Sequence, residues 1–260
     1  MKLRQLHELD DLEKMALINM SYSRLDTYEM CPSKYFYTYI QKEDRVFGAA
    51  ASLGNVIHGV LEDTVGEPLV YEEMLTRMEH HRAIYDPDLQ IGDELLLAGK
   101  EMIGEFVDRH EDEEFDVIGK EKSFELIIGS ALVRGFIDLL IRDSDGTIHV
   151  VDYKSGRWEV TYKNAPKNLQ IGIYALAASI MFPDTPIYAE LYYLLSGRRK
   201  GHLFSPEDME EVYEVVLEKV NNIIDDRNFT ATNDRRPCTF CDFSKPENPI
   251  CKAGVSRMRR

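Results

Sequence analysis

The chain has 260 residues, enough for one large domain or two small ones. Its 46 acidic against 31 basic residues give a net charge of −15. That balance argues against non-specific coating of duplexes, which depends on neutralising many phosphates with Lys and Arg. No apolar run approaches the length that spans a bilayer, and the acid-rich N-terminus is a poor secretory signal, so a cytosolic protein is expected.

In chain order, residues 1–20 read as a polar helical leader. Ser23 with Asp26 three residues later reads as a helix start. A second helix is predicted at about Leu53 to Val65, with Leu53, Val56, Ile57, Val60 and Leu61 as its apolar stripe. Helical segments follow at roughly 70–82 and 92–110. The acidic run Glu111–Glu114 reads as a solvated face. Residues 117–128, 131–142 and 147–154 are rich in Val, Ile and Phe and read as strands, with Asp145-Gly146 as a hairpin turn between the last two. A helix near 166–181, a strand at about 186–195 and a long helix follow. Ser205 is the expected cap of that last helix, Pro206 its first residue, and Met209, Val212, Val216, Val220 and Ile223 keep helical spacing. Helices, a strand meander, then helix–strand–helix imply an α/β or α+β core: one central mixed sheet flanked by helices.

Two short segments, GFIDLL from Gly135 and VVDYKSG from Val150, carry the chemistry. Asp152 and Lys154 are two apart in a strand and share a face, and a hairpin can bring Asp138 beside Asp152. Two carboxylates and an ammonium on one sheet face are costly without a purpose. A divalent cation such as Mg²⁺, which takes carboxylate oxygens, supplies one. The competing reading is a surface ion pair at a strand end. Gly135, three residues before Asp138, allows another group to approach the backbone closely.

Together these segments resemble the catalytic strands of RecB-like nuclease domains in the PD-(D/E)XK superfamily. There a glycine-x-isoleucine-aspartate strand precedes aspartate-tyrosine-lysine-threonine/serine-glycine. LGNVIHGVLE from Leu53 resembles the family's helix bearing a metal-binding histidine, here His58, on one stripe with Gly54 and Glu62. Glu121 in GKEKSFEL takes the place of the family's glutamate, although Glu125 shares its strand parity. Gln170 and Tyr174 reproduce the family's Q-x-x-x-Y, able to face a bound strand, with core packing the competing reading for Tyr174.

The resemblance implies a restriction-endonuclease-like core and Mg²⁺- or Mn²⁺-dependent phosphodiester hydrolysis. His58, Asp138, Asp152 and the backbone carbonyl of Tyr153 would hold the metal. Lys154 would position or deprotonate the attacking water, and Glu121 would orient a water at the metal.

Cys31, Cys238, Cys241 and Cys251 do not suggest a disulfide framework in a cytosolic chain. Cys31-Pro32, a terminal Cys-x-x-Cys and one more Cys resemble the iron–sulfur staple of AddB-type repair nucleases and CRISPR-associated adaptation exonucleases. That resemblance implies a 4Fe–4S cluster tying the first helix to the tail within a nuclease domain spanning 21–260. The gap from Cys241 to Cys251 is longer than usual there, and zinc is the chemical alternative.

Relatives with this staple often degrade single strands from an end, so the implied partner is DNA, as single strands or ends. No Walker-type motif occurs, so ATP-driven unwinding would need a helicase partner. Arg198, Arg199 and Lys200, then Arg235 and Arg236, then Lys252, Arg257, Arg259 and Arg260 are basic clusters that fit either DNA contact or solubility. A non-catalytic DNA-binding or scaffold subunit is the alternative from another class, and a factor trimming substrates beside a CRISPR integrase is a third.

Overall fold

In a computed structural model the described residues are 6–43, 48–110, 116–161, 167–245 and 249–258. The acidic run Glu111–Glu114 lies outside them, as do Arg259 and Arg260. The chain divides into two compact units. One comprises 47–124 and 135–213. The other comprises 1–46, 125–134 and 214–260.

The first of these units holds helices α4 (Ala49–Thr64), α5 (Tyr71–Tyr85) and α6 (Asp93–His110). Strands β2 (Val117–Ile128) and β3 (Ala131–Arg142) pair with each other, and each passes through both units. Strand β3 continues antiparallel to β4 (Ile148–Lys154), with Leu139 opposite Val151 and Arg142 opposite Ile148. The turn between them is closed by Gly146 N–H to Asp143 carbonyl at 2.9 Å, and Gly146 has φ +89°, the left-handed backbone that glycine adopts freely. Strand β4 runs parallel to β5 (Ile187–Tyr193), which is antiparallel to β6 (Arg198–Phe204). The sheet is therefore mixed, as the α/β expectation required.

Leu139, Val151, Tyr153, Tyr192 and Leu194 of the sheet region form one core with Leu53, Ile57 and Leu61 of α4, Met74 and Met78 of α5 and Phe106 of α6. Helix α7 (Leu169–Met181) packs on β4 and β5. It is apolar nearly all round because Gly172 sits against Val212 on its other side, where an added Cβ would lie 2.7 Å from the valine. Such a helix is buried rather than amphipathic. Ser205 caps α8 (Pro206–Asp225) reciprocally with Asp208.

The second unit contains α1 (Asp11–Ala16), β1 (Ile18–Met20), α2 (Tyr22–Met30) and α3 (Pro32–Tyr35), with α9 (Arg236–Thr239) and α10 (Lys252–Met258) from the tail. The predicted helical leader thus ends in a strand, β1, parallel to the start of β3. The cap of α2 is Ser21, whose side chain accepts from Arg24 N–H, rather than Ser23. Strand β6 was not foreseen. Among the described residues no helix is long and apolar enough to cross a membrane.

Candidate active site

Asp138 and Asp152 come from adjacent antiparallel strands, one step beyond the Leu139–Val151 pair. The Asp138 carboxylate accepts the Tyr153 backbone N–H at 2.8 Å. Asp152 is 3% exposed in its side chain, and its Oδ2 lies 2.7 Å from Lys154 Nζ. The Lys154 ammonium is the partner of that oxygen, and burial leaves it no contact with solvent.

Helices on both sides of the sheet complete the site. From α7, Gln170 donates through Nε2 to Asp152 Oδ1 at 2.6 Å and accepts the Lys154 ammonium on Oε1 at 2.7 Å. The same Nε2 reaches Tyr174 Oη at 3.2 Å. Asn168 caps α7 through the N–H groups of Gln170 and Ile171, fixing where Gln170 begins. From α4, His58 Nδ1 stands 3.4 Å from Asp138 Oδ2. One ligand-type atom each from His58, Glu121 and Asp138 lie within 4.8 Å of one another.

Glu121 reaches this cluster by a local distortion. It sits in mid-strand at φ +43°, an unusual backbone for a residue with a Cβ and one that costs on the order of 1–3 kcal/mol. Glu125, of the same parity, pairs instead with Arg134 at 2.7 Å on the surface. The strained backbone therefore separates two residues that alternation could not.

The electrostatics are those of crowded carboxylates. Burial, then the Asp152 charge, pushes Asp138 up to about 8, against the pull of the Tyr153 N–H and Lys154. Burial likewise raises Asp152, with Lys154 opposing, and raises Glu121, with Asp138 adding to the rise. His58 is lowered by burial despite the neighbouring Asp152 and Glu121. A neutral imidazole has a lone pair to offer a metal.

Of the remaining predicted residues, Tyr174 is buried and packs edge-on against Phe124 at 5.6 Å. Gly135 makes room for that ring, since an added Cβ would come within 2.7 Å of Phe124. Arg199 is not brought to the metal-type cluster: it pairs with buried Glu190 at 3.2 Å and lies 4.5 Å over the Tyr192 ring. Arg198 extends from β6, 3.4 Å from Glu159, with its side chain 64% exposed. Glu159 and Lys200, which pair at 2.7 Å, were missed as a structural pair. No short motif marks them, because 40 residues of sequence, including strand β5, intervene.

The profile of the PD-(D/E)XK nuclease superfamily matches residues 19–246. The chain belongs to this superfamily. A candidate exonuclease from Eubacterium rectale has a similar fold, with a TM-score of 0.52 at 13% identity over 86% of each chain. The structure of SSO0001 gives a TM-score of 0.40 at 15% identity over 91% of this chain and 92% of that one. No curated protein matches the sequence.

The four cysteines lie apart from this cluster in sequence and in the other unit. All are buried and none forms a disulfide. They line one small cavity together with Lys34, Tyr37, Pro237 and Ser244. Cys31 sits at the junction of α2 and α3. Its sulfur faces Thr232 N–H at 3.5 Å, and the Cys251 sulfur faces Gly254 N–H at 3.4 Å.

Proposed function

We propose that the chain is a Mg²⁺- or Mn²⁺-dependent deoxyribonuclease, an exonuclease acting on single-stranded DNA or DNA ends. The observation that carries the reading is the meeting of His58, Glu121 and Asp138 within 4.8 Å beside the buried Asp152 carboxylate. Carboxylates packed this closely repel one another, and a hard cation relieves that repulsion. His58, Glu121, Asp138, Asp152 and the Tyr153 carbonyl would hold it. When bound, the cation supplies charge stabilisation at the phosphoryl oxygens.

The protein's own groups account for the rest. Lys154 sits at the edge of the site, 32% exposed in its side chain, where its ammonium can orient an attacking water and offset charge growing on the phosphate. Gln170 holds both Lys154 and Asp152, so the ammonium and carboxylate keep their positions before substrate arrives. Tyr174 anchors Gln170 from behind.

The cysteines are proposed to hold a 4Fe–4S cluster. Four buried thiols around one cavity suit thiolate ligation of a polynuclear group. The preference for DNA ends follows from the likeness of this cysteine pattern to end-directed relatives.

Incubation of end-labelled single-stranded, duplex and circular DNA with the protein tests the activity. Cleavage of linear strands in Mn²⁺ or Mg²⁺, lost in chelator and in Asp152→Ala, is expected. A protein that leaves all three substrates intact in both metals overturns the reading in favour of a non-catalytic subunit.

A further inference from the structure

Trp158 is the one tryptophan of the sequence and is 95% exposed. It follows Lys154 by four residues, so its Cα lies at most about 14 Å from that of Lys154 at full extension. A single exposed aromatic ring is ordinary on a protein surface; the way this one is mounted is not. On its far side, the Val160 N–H donates to Tyr193 Oη at 3.0 Å and the Val160 carbonyl accepts from Lys200 Nζ at 2.5 Å. Glu159 takes the same ammonium at 2.7 Å, the Ser196 hydroxyl at 2.7 Å and the Arg198 guanidinium at 3.4 Å. Lys200 is itself buried, at 6% exposure. On its near side the chain emerges from β4, hydrogen-bonded to β5 through Lys154 carbonyl and Leu194 N–H at 3.0 Å.

We infer that the segment Ser155–Thr161 presents Trp158 as a stacking platform for a base of the substrate strand, with exposed Arg157 beside it for the phosphate. The inference rests on the nuclease reading above and adds to it a residue that positions the strand a few nucleotides from the scissile bond. Stacking on an indole is tolerant of sequence, because every base has a π-face. A chain with net charge −15 gains little from long-range attraction to phosphates, so stacking carries a larger share of strand affinity. Anchoring residues 159 and 160 in advance reduces the ordering cost on binding.

The sole tryptophan makes the test direct. The full chain is titrated in Ca²⁺, in place of Mg²⁺ or Mn²⁺, with an oligothymidylate. An oligomer of equal length lacking bases is titrated in parallel, and binding is followed independently by anisotropy of a labelled strand. Quenching of Trp158 emission by the intact strand, absent with the abasic one, is expected. Trp158→Ala should weaken intact-strand binding about tenfold, the scale of one lost base stack, with KM raised more than kcat is lowered. Trp158→Phe should recover most of the affinity. Saturation by the intact strand without any change in emission, or Trp158→Ala binding like the wild type, overturns the inference alone. Absence of both binding and cleavage overturns it together with the nuclease reading.

Discussion

Lys154 and Asp152 stand 2.7 Å apart, and Gln170 bonds to both of them. The pair is thus fixed by a third side chain from a helix rather than left as a flexible surface bridge. This arrangement ties the ammonium to a buried carboxylate.

Removing the bridge should therefore cost activity while leaving both charged groups in place. Gln170→Ala is expected to lower kcat about 10- to 100-fold, the usual effect of losing a group that orients a metal ligand. Lys154→Ala should abolish cleavage. Because it leaves a buried carboxylate without its counter-charge, the metal-free variant should lose on the order of 3 kcal/mol of stability. Single-turnover cleavage and thermal melts measure the two effects. A Gln170→Ala enzyme as fast as wild type contradicts the bridging role.

Glu121 and Glu125 should separate cleanly. Glu121→Gln is expected to reduce cleavage at least about tenfold, whereas Glu125→Gln, which breaks only an exposed pair with Arg134, should cost under about 1 kcal/mol and little activity. Glu121→Gly removes the Cβ from a backbone at φ +43°. It should match or exceed wild-type melting temperature while losing activity. Equal activity losses in both glutamine variants would count against this assignment.

The pH dependence follows from Asp138, which burial and Asp152 push up to about 8. Its folded value lies above the unfolded value of about 3.9, so the protonated form is favoured by folding. In metal-free protein that contribution is fully present below pH of about 4 and is lost as pH rises toward 8. Melting temperature without metal should fall over this window. Mn²⁺ competes with those protons, so its stabilisation should grow from pH 5 to pH 8, reaching about 5 °C or more at the upper end. A metal-induced shift that shrinks with rising pH contradicts the sign.

Cys31→Ser should test the cysteine cavity. Protein purified without oxygen is expected to be brown with broad visible absorption, while a zinc form would be colourless, since zinc is redox-silent and d¹⁰. The Cys31→Ser variant should lose most of that absorption and melt at lower temperature, because metal binding energy is folding energy. A colourless wild type containing stoichiometric zinc would falsify the iron–sulfur assignment while leaving the cavity as a metal site.

Much of the unit bearing the site was legible because its signals are local. The strands at 117–128 and 131–142 coincide with β2 and β3, since Val, Ile and Phe recur in both. Asp145-Gly146 marked the hairpin that brings Asp138 toward Asp152. The stripe around His58 appeared as α4, extended N-terminally to Ala49. Three things were hidden. Strand β6 reads as a basic cluster because its Arg199 and Lys200 are neutralised by Glu190 and Glu159 from other segments, which periodicity cannot reveal. The choice of Glu121 depends on one left-handed backbone torsion within a strand, which breaks the alternation that sequence reading relies on. Strand β1 has three residues, too few for a pattern, and forms only by parallel pairing with β3.

The most direct measurement is the anomalous scattering map of crystals soaked in Mn²⁺. We expect a manganese peak within bonding distance, about 2.2 Å, of carboxylate oxygens from Asp138 and Asp152, with His58 and Glu121 alongside. Crystals of cleavage-competent protein with manganese bound elsewhere, and none between these side chains, would contradict the claim that they hold the catalytic cation.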